Sequence, residues 1–227
     1  DLTARYAGAI EAYREARRAT LRLYPGVLDT LRAVRAAGAR VIAYTESLAY
    51  YAAYRVRALG LDGVLDALYS PPDHALPDGL SPDTISRYPP EYYRLHGTEH
   101  RHTRAGAWKP DAAVLRGILD EIGAAPDEAV YVGDSLVKDV AMAQAAGVAD
   151  VFARYGDVRG RPGYELLRRV THWPPAVVAG SEQRAGMDQR EPAESDDAEE
   201  ELGRLAWPAG VERQLVAQRR ERLLRDF

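Results

Sequence analysis

Four short apolar runs, each set among stretches of helical spacing, restrict this chain's fold more than any other feature. "RVIAYT" (residues 40–45), "VLDALYS" (64–70), "AVYVGD" (129–134) and "ADVFARY" (149–155) are rich in Val, Ile and Tyr. That is the composition expected of strands buried on both faces. The intervening segments predict helices over residues 25–37, 48–59, 111–122 and 137–146. Gly38, Gly60, Gly123 and Gly147 stand where left-handed caps end helices, and Pro110 stands where a first-turn proline begins one. Strands alternating with helices imply an α/β fold with a doubly wound parallel sheet.

Composition bounds what such a sheet serves. The 227 residues are 46% hydrophobic, enough for a core, and carry a net charge of -4 with a pI near 5.8. There is no general field for nucleic acid or anionic lipid, so neither nucleic acid nor a membrane is an expected partner. No run approaches membrane-spanning length and no secretory pattern opens the chain, which fits the cytoplasm. The absence of cysteine excludes disulfides and thiolate metal sites. Residues 1–21 read as a helix with Tyr6, Ile10, Tyr13 and Ala16 at helical spacing, and residues 22–180 as the core. Residues 71–107, rich in Pro, His, Tyr and Arg, read as an insertion with little regular structure. Residues 181–201 read as an acidic disordered linker. Residues 202–227, with Val211, Leu215, Val216, Leu223 and Leu224 among arginines, read as a terminal amphipathic helix.

The stretch "VYVGDSLVKDV" (130–140) ends a strand on Gly133 and Asp134 and places Asp139 five positions on. Ligands gather beyond the C-terminal ends of such strands. With Ser135 capping the next helix, Asp139 falls in its first turn and leans back toward Asp134. Two carboxylates so placed call for a cation or a basic side chain between them, and Mg2+ suits oxygen ligands. The plainer alternative is that Asp139 complements the helix dipole while Asp134 caps a turn. Thr45, Glu46 and Ser47 end another strand at a helix start, offering a hydroxyl and free N–H groups for phosphate oxygens. Lys109 of "WKPD" precedes a helix and would balance charge in the same crevice. His96, His100 and His102 of "HGTEHRH" lack a periodic segment to hold them and read as exposed polar residues rather than a zinc site. Tyr44, Tyr50, Tyr51 and Tyr54 read as packing rather than a base-stacking platform.

"VIAYT", "KPD" and "VYVGDSLVKD", in that order, resemble the second, third and fourth motifs of the haloacid dehalogenase-like (HAD) hydrolase superfamily. The resemblance covers residues 22 to 155 and implies a Rossmann-like, HAD-type core, with residues 1–21 as part of a small helical cap. It further implies that Thr45 and Lys109 are catalytic, with Thr45, Glu46, Ser47 and Lys109 contacting the phosphoryl group. By the same resemblance Asp134 ligates Mg2+ and Asp139 supports the metal site. The implied activity is magnesium-dependent hydrolysis of a small phosphorylated metabolite through an aspartyl-phosphate. The family's nucleophile belongs to an Asp-x-Asp strand well before the threonine motif, and residues 1–44 contain none. The chain is therefore expected to be a fragment, inactive alone, whose nucleophile lies upstream. The alternative is an inactive HAD-fold binding or regulatory module. A signalling receiver gives no reason for a Gly-Asp motif after the lysine, and no G-x-G-x-x-G marks a nicotinamide-binding domain.

Overall fold

The computed structural model describes residues 2–76, 78, 79, 81, 89–157, 161, 164 and 166. The expected linker at 181–201 and terminal helix at 202–227 lie outside them. The described residues fall into two compact units that divide between Ala105 and Gly106.

The first unit opens with α1 (Leu2–Arg5) and α2 (Ala7–Thr20), which make the expected N-terminal segment helical with a break at Tyr6. It continues with α3 (Val27–Ala36), β1 (Ile42–Tyr44), α4 (Ala49–Ala58), β2 (Ala67–Ser70) and β3 (Glu99–His102). The three strands form one parallel sheet in the order β1-β2-β3, with Tyr44 opposite Tyr69 and Ser70 opposite His102. In α4 Ala49, Ala52, Ala53 and Val56 recur at helical spacing and are buried. Val41, Ala52, Val56, Leu65 and Leu68 form a core against which Leu31 and Val34 of α3 also pack. Gly38 and Gly60 end α3 and α4 with φ of 92° and 68°, as their positions predict. Tyr50 stacks on Tyr93 at 4.0 Å, whereas Tyr51 is about half exposed.

β3 is a short strand inside the stretch 71–107, which the sequence predicts to hold little regular structure. Its residues alternate polar with polar, so no hydrophobic period announces it. Pairing with the wholly buried β2 and a local anchor hold it in place. The Asp62 carboxylate accepts the backbone N–H groups of His96, Gly97 and Thr98 at 2.9–3.1 Å. Burial works against ionising Asp62, but these bonds and the Thr98 hydroxyl outweigh it and hold its carboxyl below the usual range. Gly97 crosses Gly63 so closely that a Cβ there would lie 2.6 Å from Gly63 Cα.

The second unit contains α5 (Ala112–Ile122), β4 (Val130–Gly133), a π turn at Leu136–Val140, α6 (Ala141–Ala146) and β5 (Ala149–Phe152). β4 and β5 pair in parallel from Val130–Ala149 to Gly133–Phe152. α5 buries Leu115, Ile118 and Leu119, and α6 buries Met142, Ala143 and Ala146. Gly123 and Gly147 take φ of 64° and 78° at the expected helix ends. Asp111, not Pro110, stands at the start of α5, where its carboxylate accepts the Ala113 N–H at 3.0 Å. Burial on both faces holds only for β2, since the paired Val132 and Val151 are 59% and 43% exposed. Among the described residues no helix is long and apolar enough to cross a membrane.

Candidate active site

The π turn after β4 sets the geometry of the second unit's site. Ser135 O accepts both the Asp139 and the Val140 N–H, at 2.8 and 3.1 Å, widening the first turn. The Asp139 side chain folds back so that Oδ2 accepts the Ser135 N–H at 3.1 Å. Ser135 occupies the expected cap position, but its hydroxyl makes no capping bond. Asp139 Oδ1 accepts Lys109 Nζ at 2.8 Å and the Tyr131 hydroxyl at 3.2 Å. Lys109 also sits 5.5 Å from the centre of the Tyr131 ring. Asp139 is only 6% exposed, and these partners are what make its burial tolerable. The dipole alternative captures one of its three contacts, because it does take a backbone N–H at the helix start. It misses the lysine.

Two glycines make room for the carboxylates. A Cβ on Gly133 would lie 2.3 Å from Asp139 Cβ, and one on Gly156 would lie 2.6 Å from Asp134 Oδ2. Asp134 keeps its outer face in solvent. Burial of its inner face, then the Asp139 carboxylate and more weakly Asp157, push its carboxyl above the usual range, while Lys109 opposes the shift. Solvent softens that strain. Asp139 already spends both oxygens on protein donors, so Asp134 is the carboxylate left to face a cation. No group of three or more His, Asp or Glu gathers as a metal site among the described residues. A carboxylate oxygen such as that of Asp134 is the donor type that a hard, largely hydrated ion such as Mg2+ takes.

Thr45, Glu46 and Ser47 belong to the first unit. The Thr45 N–H bonds Tyr69 O at 2.9 Å, which carries the β1–β2 ladder past the strand end. α4 begins at Ala49 with Leu48 at its cap, one residue after the start expected at 48. The Ser47 N–H is not free: it donates to Thr45 Oγ1 at 3.1 Å, and Ser47 Oγ accepts Arg55 Nη1 at 2.8 Å. The structure thus gathers Lys109, Asp134 and Asp139 in one unit and Thr45, Glu46 and Ser47 in the other.

A family model described as HAD-hydrolase-like matches residues 107–180, which include Lys109, Asp134 and Asp139. Two curated relatives align with two thirds of the chain. A glyceraldehyde 3-phosphate phosphatase of Methanopyrus kandleri is 28% identical over 150 residues, 66% of this chain and 51% of that protein. A probable phosphoglycolate phosphatase of Pseudomonas putida is 29% identical over 153 residues, 67% of this chain and 48% of that protein. Residues 107–180 are thus similar to the HAD-like hydrolases. A phosphoglycolate phosphatase of Rhodospirillum rubrum is 54% identical over 48 residues, 21% of this chain and 20% of that protein. The chain thus spans about half the length, or less, of the curated relatives it matches. A HAD phosphatase from Thermococcus onnurineus is similar at a TM-score of 0.41 and 22% identity, covering 63% of this chain and 50% of that one.

Sequence reasoning missed Tyr131, Gly156 and Asp157 as neighbours of the two carboxylates. Tyr131 had a signal available: it lies two positions before Gly133, on the same face of the strand. Gly156 and Asp157 had none, since only the return of the chain after β5 brings them to Asp134.

Proposed function

We propose that this chain carries the phosphate- and metal-binding residues of a magnesium-dependent phosphate-ester hydrolase acting on a small phosphorylated metabolite. The observation that carries the reading is the Lys109 ammonium seated on Asp139 beside the more open Asp134. In this proposal Asp134 holds Mg2+ and Asp139 supports the site. The bound ion would supply electrophilic polarisation of a phosphoryl oxygen. Asp139 fixes Lys109 through one oxygen, so that its ammonium stabilises charge on the transferring group. Thr45 offers its hydroxyl, and the Glu46 and Ser47 backbone offers N–H groups once Ser47 exchanges its bond to Thr45 Oγ1 for a phosphoryl oxygen. The transfer itself needs a nucleophilic carboxylate in line with the phosphorus, as an aspartyl-phosphate route requires.

Phosphate release by the full-length protein tests the proposal, using a panel that includes 2-phosphoglycolate and glyceraldehyde 3-phosphate, with and without Mg2+. Metal-dependent turnover that falls roughly 100-fold or more in Lys109→Ala is expected. No turnover across the panel would favour the second reading, a non-catalytic module on the same scaffold.

A further inference from the structure

We propose that His100 and His102 form a binding site for a borderline transition ion such as Zn2+ or Ni2+. Both residues lie on β3, two positions apart, so their side chains leave the same face of the strand. Their ring centroids are 5.0 Å apart with planes tilted by 55°, a spacing that lets two imidazoles share one ion. The regular strand supplies the rigidity that the sequence pattern "HGTEHRH" did not reveal.

Hydrogen bonding selects which nitrogen of His100 is available. Ser70 Oγ lies 2.8 Å from His100 Nε2 and 3.2 Å from Pro71 O. A carbonyl only accepts, so we assign the single hydroxyl proton of Ser70 to Pro71 O. Ser70 Oγ then accepts from His100, which places the ring proton on Nε2 and leaves the Nδ1 lone pair for a metal. Ser70 is fully buried, so water does not compete for this arrangement. A ligating histidine whose second nitrogen donates to a buried oxygen is the usual outer-shell device of metal sites. Burial first, then the neighbouring His102, lower the proton affinity of His100, while Asp73 opposes them. Asp73 is itself fixed, accepting the Tyr50 N–H at 3.0 Å, and stands close enough to offer a negative charge to a bound cation. His102 is exposed and gives the ion its way in.

Imidazole nitrogens favour Zn2+, Ni2+ and Cu2+ over Mg2+, so this pair and the Asp134 carboxylate would draw different ions. No third His, Asp or Glu completes the pair among the described residues. Water fills the remaining positions, and the affinity is that of a two-histidine site, weaker than a structural zinc centre.

The test is Zn2+ binding by the full-length protein in the presence of excess Mg2+, followed by calorimetry and by 15N NMR of the imidazoles. One saturable site is expected, with His100 Nδ1 and a nitrogen of His102 shifting while His100 Nε2 stays protonated. His102→Ala and His102→Gln change an exposed side chain and should abolish the site with the fold intact. Ser70→Ala should weaken it roughly 10-fold by releasing the tautomer. Three results would overturn the proposal: no saturable Zn2+ binding by the wild type, unchanged affinity in both His102 variants, or metal contact through His100 Nε2.

Discussion

Replacing Gly133 by alanine drives a methyl group into space that Asp139 occupies. Its Cβ would lie 2.3 Å from Asp139 Cβ and 2.4 Å from Cγ, far inside the roughly 3.5–4.0 Å at which carbons make contact. The strand has little freedom to yield, because Gly133 pairs with Phe152 and its carbonyl accepts the Ala153 N–H at 2.8 Å. The π turn has to give instead, taking Asp139 away from Lys109, Tyr131 and the Ser135 N–H. Overpacking alone costs about 1–3 kcal/mol. The Lys109 and Asp139 side chains are 12% and 9% exposed, and stripping a partner from so buried a pair costs about 3–5 kcal/mol. Displaced groups regain some water, so the expected total is about 3–4 kcal/mol, a large share of the roughly 5–15 kcal/mol of an ordinary domain. Urea unfolding followed by tryptophan fluorescence should show a lower midpoint at unchanged slope. Second-site variants locate the cause. Asp139→Ala keeps the offending Cβ and cannot relieve the clash, whereas Asp139→Gly removes it. Gly133→Ala/Asp139→Gly should therefore be more stable than Gly133→Ala/Asp139→Ala, despite the cost of about 1 kcal/mol for a helical glycine. A Gly133→Ala protein within about 0.5 kcal/mol of wild type would refute the reasoning.

Three other perturbations have defined outcomes. Asp134→Asn should weaken Mg2+ binding measured by calorimetry while leaving the urea midpoint of the metal-free protein unchanged or higher, since a strained carboxylate is lost. The depressed carboxyl of Asp62 contributes stability that is complete above the ordinary carboxylate range and disappears as pH falls through its folded value. Asp62→Asn should therefore lose about 1–2 kcal/mol at neutral pH and show a flatter decline into acid, read from urea midpoints across the range. Gly97→Ala would set a Cβ 2.6 Å from Gly63 Cα. It should cost about 1–3 kcal/mol and speed amide exchange in β3.

The elements legible in the sequence are those whose own residues carry the signal. β2, buried at every position, reads as a short apolar run closed by Ser70, and the glycines at 38, 60, 123 and 147 mark helix ends because each adopts positive φ there. β3 escaped because an edge strand of Glu, His, Arg and His has no apolar face to display, and its position depends on Asp62, far away in sequence. The pairing of Asp134 with Asp139 was visible because strand, cap and first turn are local geometry. The lysine that neutralises Asp139 was readable only as a candidate, since thirty residues of chain must fold before the two meet. Tyr131 shows the same limit: its side of the strand follows from alternation, but its hydroxyl's partner does not.

Parallel pairing also sets an order of assembly. β4 and β5 are joined by one π turn and one short helix, whereas β1 and β2 close around α4 and β2 and β3 close around the long insertion. Closing a longer loop costs more chain entropy before any contact repays it. The β4–β5 ladder, with Asp139 turned back on Ser135, should therefore gain protection first in pulse-labelled refolding, and β3 last. Until β3 docks, β2, the most buried strand of its sheet, has an open edge available to another chain. Slow closure of the insertion would then appear as aggregation that rises with protein concentration during refolding, and Gly97→Ala, by delaying that closure, should enhance it.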